Sequence, residues 1–145
     1  MRKILMVIAF LACAVGITAC GASAPRSPGG PATDYASLMR GLRAAGATTV
    51  AAGSVSQPFF STAGQIVAIN GEQAQVFEYP DAATAATQAA RIASDGATIN
   101  HTTQVDWIAP PHFYESGKLL VIYVGTNASV MRLLAAQLGP QFAGA

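Results

Sequence analysis

Apolar residues recur at helical spacing just after residue 34. Tyr35, Leu38, Leu42 and Ala45 share one face, Met39 sits beside them, and Arg40 and Arg43 lie opposite. This pattern predicts a helix from Tyr35 to about Ala45, capped by Asp34 and stopped at Gly46. A strand-like segment then begins at Thr48-Thr49-Val50 and runs to Val55. Gln65–Ile69 and the alternating Gln73–Tyr79 flank Asn70-Gly71. Asn-Gly tolerates positive φ at both turn positions, so the pair predicts a tight hairpin.

Pro80-Asp81 ends that hairpin, and Asp81 is placed to cap a helix from Ala82 to about Ala93. Ala82, Ala85, Ala86, Ala89 and Ile92 line it, a thin face that lets a helix approach a sheet closely. Asp95-Gly96 terminates it. Gln104–Ile108 is a further expected strand. After Pro110-Pro111, His112-Phe113-Tyr114 is expected to lead into a turn at Glu115-Ser116-Gly117-Lys118. The apolar run Leu119–Val124 is the best central strand. Asn127 caps a last helix, Ala128–Leu138, with Val130, Leu133, Leu134 and Leu138 inward and Gly139-Pro140 as its stop. No internal repeat is visible. Hairpins imply antiparallel pairing, and a helix joining two hairpins must cross a sheet face. The expected fold is α+β: a two-layer sandwich with an antiparallel sheet of 4–5 strands and helices packed on one face.

The region before residue 34 has a different character. Met1-Arg2-Lys3 precedes an apolar run from Ile4 to about Ile17, followed by small residues and a cysteine. A basic start, a short apolar core and a small-residue junction are the parts of an export signal. Ile17-Thr18-Ala19-Cys20 resembles the lipobox of bacterial lipoproteins, with Ile17 in place of the usual leucine. That resemblance implies a signal peptide over 1–19, cleavage between Ala19 and Cys20, and acylation of the Cys20 sulfur. Two or three acyl chains, at about 0.8 kcal/mol per buried methylene, anchor a chain stably where one would not.

Two other readings compete. Ala22-Ser23-Ala24 would also suit cleavage of a non-lipid signal. A retained membrane helix would need about 20 apolar residues, more than this run provides. Residues 20–33 are expected to form the lipidated cysteine and a flexible tether of small residues, proline and one arginine, spanning roughly 20 Å. Residues 34–145 are then a single domain. The expected location is the extracytoplasmic face of a cell membrane or outer membrane.

Charge and cysteine content narrow the function. Of eight basic residues, Arg2 and Lys3 belong to the signal, leaving six scattered ones against seven acidic residues. No basic cluster exists to bind phosphates, so nucleic acid is not expected as a partner. The two cysteines are Cys13, within the signal, and Cys20. The domain therefore has no thiol for a disulfide, a nucleophile or a metal.

His112 with Glu115 is the only histidine–carboxylate pair close in sequence, and it flanks an expected turn where such groups are solvated. His101 reads as an exposed loop residue. Two histidines eleven residues apart lack the spacing of a metal site, and no nucleophile elbow or phosphate loop occurs. No enzyme activity, metal or cofactor is expected.

Aromatic residues gather at Phe59 and Phe60, at Trp107, and at His112, Phe113 and Tyr114. In loops they would form a shallow patch for an envelope protein or glycan, because rigid rings bind with little entropy cost. The competing reading puts the same rings in the core. Pro110-Pro111-His112-Phe113-Tyr114, Gly117–Gly125 and Leu138-Gly139-Pro140-Gln141-Phe142 resemble small bacterial lipoproteins without an assigned activity. This likeness spans most of residues 35–143 and supplies no catalytic residue. The expected function is a membrane-anchored lipoprotein whose domain binds or scaffolds an envelope component. The alternative is a small-ligand binder with a pocket between sheet and helices. Replacing Cys20 by serine is expected to release the protein from membranes or leave its signal uncut. Fractionation with normal processing and unchanged membrane retention would refute lipidation.

Overall fold

A computed structural model describes residues 30–145; the expected signal (1–19), Ala19, Cys20 and residues 20–29 lie outside the described residues. The described residues are α+β, with three helices, a six-stranded sheet and a small two-stranded one. In chain order the elements are α1 (Tyr35–Ala44), β1 (Thr49–Val55), β2 (Gly64–Ile69), β3 (Glu72–Glu78), α2 (Ala82–Ala89) and β4 (Thr98–Ile99). They continue with β5 (Thr103–Gln104), β6 (Pro111–Ser116), β7 (Leu119–Val124), α3 (Ala128–Leu138) and β8 (Ala143–Gly144). The large sheet has the order β1-β2-β3-β7-β6-β8, every pairing antiparallel, and β4 pairs with β5 apart from it.

Local chemistry explains the boundaries. Asp34 accepts from the Ser37 amide at 2.7 Å while Ser37 Oγ accepts from the Asp34 amide at 3.1 Å, a reciprocal cap on α1. Asp81 caps α2 through the Thr84 amide at 2.7 Å, and Asn127 caps α3 through the Ser129 amide at 3.0 Å. Hydrogen bonds from Ser37 and from Thr84 hold the Asp34 and Asp81 carboxyls below the ordinary aspartate value. The caps therefore contribute above that value, and the contribution is lost as pH falls through the lowered ones. Asn70 and Gly71 adopt φ of 52° and 89°, the turn that joins β2 to β3.

The sheet has more than the expected four or five strands. The C-terminal residues Ala143 and Gly144 add β8 against β6, and β6 continues to Ser116, so that only Gly117 and Lys118 turn the chain into β7. Conversely, the expected strand Gln104–Ile108 is strand only at Gln104. Its remaining residues form a loop.

Nor do all the helices share a face. Leu38 and Leu42 of α1 and Val130, Leu134 and Leu138 of α3 pack on Val67, Val76, Leu119, Val121 and Tyr123. Ala85 and Ala89 of α2 pack with Phe77, Leu120, Ile122 and Phe113 on the opposite side. The connections β3–α2–β6 and β7–α3–β8 both step over one strand in the same direction across the sheet. They start from strands of opposite sense, so a common handedness puts their helices on opposite faces. β7 is therefore covered twice, and Leu119 through Tyr123 are all at 0% exposure.

The last part of the expected tether, Gly30–Thr33, belongs to the fold. The Ala32 amide donates to Gln137 O at the end of α3 (3.0 Å), and the Lys118 amide donates to Thr33 O (2.8 Å). Gly30 lies so close to Gln137 that a Cβ would fall 2.1 Å from its carbonyl oxygen. This strap ties α3 to the β6–β7 turn and buries Ala32 to 1% exposure. Ala32→Asp would bury an unpaired carboxylate and is expected to cost roughly 3 kcal/mol or more in thermal unfolding. Pro31→Asp, at the neighbouring exposed position, is expected to change little. Equal effects at the two positions would contradict the strap.

Candidate functional site

The six aromatic-cluster residues do not form one exposed patch. Phe59 and Phe60 are 8% and 9% exposed, and Phe113 and Tyr114 are 0% and 1%. Phe59 meets Phe60 edge to face at 4.8 Å, and Phe60 meets Phe77 the same way at 4.8 Å. These rings close the second face beside α2. Tyr114 belongs to the first face, as does His112, which stacks on Tyr123 at 5.9 Å. Phe59, Phe60, Phe113 and Tyr114 therefore belong to the core, whereas Trp107 is only half-buried. Alternation along β6 divides them, a consequence of strand geometry that a loop would not impose.

The same alternation separates His112 from Glu115. Tyr114 faces α3 and Phe113 faces α2, so His112 follows Tyr114 and Glu115 follows Phe113 to the other side. His112 is buried, with Nε2 2.9 Å from Gly125 O and Nδ1 2.7 Å from Gln141 Oε1. It bridges the end of β7 to the C-terminal segment. Desolvation raises the Glu115 carboxyl above its ordinary value. No hydrogen bond or shared cleft joins the two. Among the described residues, no cluster of three His, Cys, Asp or Glu could hold a metal ion. Nor is any described helix long and apolar enough to cross a membrane.

A different feature occupies the second face. Beyond the cover provided by α2 and the phenylalanines, the sheet opens into a trough of about 310 Å³. Ile66, Gln73, Gln75, Ile122 and Val124 form its floor, and Val105 through Ile108 form its wall. The floor residues come from neighbouring positions on three strands: Ile66 pairs with Gln75, and Gln75 pairs with Ile122. Gln57 Nε2 donates to Gln75 Oε1 at 2.8 Å and holds that side chain in place.

The wall is pinned rather than loose. The Val105 amide donates to Ala97 O at 2.8 Å, and the Trp107 indole N–H donates to Gly96 O at 2.8 Å. Trp107 also meets Phe113 edge to face at 5.8 Å. At the far end of the loop, the Gly125 amide donates to Pro110 O at 3.0 Å. Ile108 projects between these ties at 100% exposure, and Val50, at 62%, lies on the same face of the sheet in β1. Asp106 is the one charged side chain in the lining. The chemistry offered is an apolar surface with two amides and one carboxylate, which suits binding.

Of the residues expected to matter, only Trp107 lines the trough. Gln73 and Gln75 carried an unread signal. β3 alternates Ala74 and Val76 on one face with Gln73, Gln75 and Phe77 on the other, so the second face changes from covered to open between Phe77 and Gln75. Comparison with protein-family models, curated proteins and solved structures finds no match for this chain.

Gly96 holds the wall in register, with φ of 69° and a would-be Cβ only 2.8 Å from the Phe113 ring. Gly96→Ala is expected to cost about 1–3 kcal/mol through backbone strain and to shift the emission of the single tryptophan to the red. Unchanged emission would show that Gly96 does not position the indole.

Proposed function

We propose that the chain is a bacterial lipoprotein, anchored through acylated Cys20 at the extracytoplasmic face of the membrane, whose domain binds an envelope component without chemistry. The observation that carries the binding part is the coincidence of exposure and shape. Of the two large hydrophobic side chains left exposed among the described residues, Ile108 lines the half-open trough and Val50 lies on the same face of the sheet, in line with Gln73 of its floor. Isolated apolar residues on a surface need no explanation, but two beside a concave apolar floor mark a contact surface.

The anchoring part rests on Ile17-Thr18-Ala19-Cys20 and the apolar run before it. A non-catalytic role is supported by the separation of His112 and Glu115 onto opposite faces and by the close contacts of both His112 ring nitrogens. A single carboxylate and no basic side chain in the trough lining disfavour nucleic acid and favour a protein or neutral glycan.

One observation favours a second reading, in which the trough takes a small ligand. Its volume of about 310 Å³ lies at the lower end of small-molecule sites. The site would then sit between sheet and loop, not between sheet and helices.

A photo-crosslinking side chain in place of Ile108, in intact cells, is expected to yield a discrete adduct. The same probe in place of exposed Arg132 on α3 should not. Equal labelling from both positions would overturn the binding role of the trough. No adduct from position 108, with a small molecule co-purifying, would select the second reading.

A further inference from the structure

Ile66 of the trough floor lies on β2, one strand in from the edge of the sheet, and pairs with Gly53 of β1. Among the described residues β1 is the outermost strand of the sheet, with no strand on its far side. Sheet edges are commonly blunted by lysine, proline or bulges, because free N–H and C=O groups invite another strand. β1 reads Thr-Val-Ala-Ala-Gly-Ser-Val, with neither charge nor proline. It spans seven residues, whereas β8 at the opposite edge spans two.

The register identifies the free groups. The Asn70 amide donates to Thr48 O at 2.9 Å, and antiparallel ladders alternate inward and outward from such a bond. Val50 therefore bonds inward to β2, and Thr49 and Ala51 present their peptide groups outward. The pairing shifts by one residue between Ala51 and Gly53. After this bulge Gly53 and Val55 bond inward and Ser54 points out.

The bulge also sets a glycine opposite Ile66, a floor residue of the trough. Gly53 has φ of 120°, and a Cβ there would meet nothing within 4 Å. The edge thus has a notch, and the notch leads from outside the sheet onto the trough floor. A bulge twists an edge and disfavours flat pairing with a second rigid sheet. A single flexible strand can follow the twist.

We infer that β1 and the trough form one recognition site for an extended peptide segment, which adds to the sheet as a seventh strand. Its main chain bonds to the outward groups of Thr49, Ala51 and Ser54. One apolar side chain crosses Gly53 onto Ile66 between Val50 and Ile108, and a basic side chain answers Asp106, the only charge in the lining. Strand addition supplies affinity through the main chain and specificity through the alternate side chains that reach the trough. This inference rests on the trough being a binding surface and specifies its partner as a peptide of alternating pattern with basic ends.

The test uses the full-length chain, ¹⁵N-labelled, in detergent micelles. The probe is the peptide Lys-Thr-Val-Thr-Leu-Thr-Val-Thr-Lys, with a version N-methylated at alternate residues for comparison. Binding is expected to slow amide exchange at Thr49, Ala51 and Ser54 by roughly tenfold or more and to shift Trp107 emission to the blue. N-methylation, and separately Ser54→Pro, should each weaken binding at least about tenfold, the equivalent of about 1.4 kcal/mol. The Ser54→Pro spectrum should keep its dispersion, which separates loss of the edge donor from loss of the fold.

Equal binding of the N-methylated peptide, or binding without protection at those three amides, would overturn strand addition while leaving the trough as a binding surface. Self-association through β1 that excludes the peptide would make the occupant a second copy and also overturn it. Absence of any binding would overturn it too. Crosslinking from position 108 still judges the broader reading independently in that case.

Discussion

The double burial of β7 is the constraint on which the architecture depends. A strand with both faces dry must be apolar or have its polar groups paired, and in Leu119–Val124 the one polar side-chain group, the Tyr123 hydroxyl, accepts from the Asn127 amide at 3.1 Å. Its neighbours β3 and β6 must then each supply apolar side chains to two cores at once. Val76 and Phe77 do so on one side, Tyr114 and Phe113 on the other. Cover for both faces has to come from somewhere. α1 and α3 provide it for the first, and α2 with the loops carrying Phe59, Phe60 and Trp107 provides it for the second.

The two covers are unequal, and the trough is the difference. α3 has eleven residues and buries Val130, Leu134 and Leu138. α2 has eight and buries Ala85, Gln88 and Ala89, so it is only about 12 Å long and has little side-chain reach. It lies close against Phe77 and Leu120 but leaves Gln75 and Val124 to the loop. An alanine-lined helix permits tight approach to a sheet and by the same geometry limits how far it can spread over it. The buried Tyr79 hydroxyl, which lacks a hydrogen-bond partner among the described residues, belongs to this thinner side. Burial pushes its phenol up to about 12.

Local signals in the chain gave good account of local structure. Asp34, Asp81 and Asn127 cap the helices they precede, Asn70-Gly71 turns the hairpin, and Leu119–Val124 is the central strand. What the sequence pattern did not convey was tertiary. Two alanines facing a sheet look the same whichever face they cover, so the helices could not be assigned sides from periodicity. The ring-rich segment Pro111–Tyr114 read as the approach to a turn because proline pairs mark loops. Pro111 instead opens a strand beside β8, and the strand's alternation scattered the expected patch. Gln73 and Gln75 are polar positions of an alternating strand, and only the arrival of Val105–Ile108 above them makes a site.

The strap acquires a directional meaning when set against the position of the trough. Chain entering at Gly30 is gripped by the end of α3 and by Lys118 at one end of β7, on the face of α1 and α3. Val124 and the trough lie at the other end of the same strand, roughly 17 Å along it, and on the opposite face. A load applied to the chain ahead of Gly30 is shared by hydrogen bonds to two elements, α3 and the β6–β7 turn, before it reaches the rest of the sheet. The trough, with its wall of Val105–Ile108, lies away from that grip.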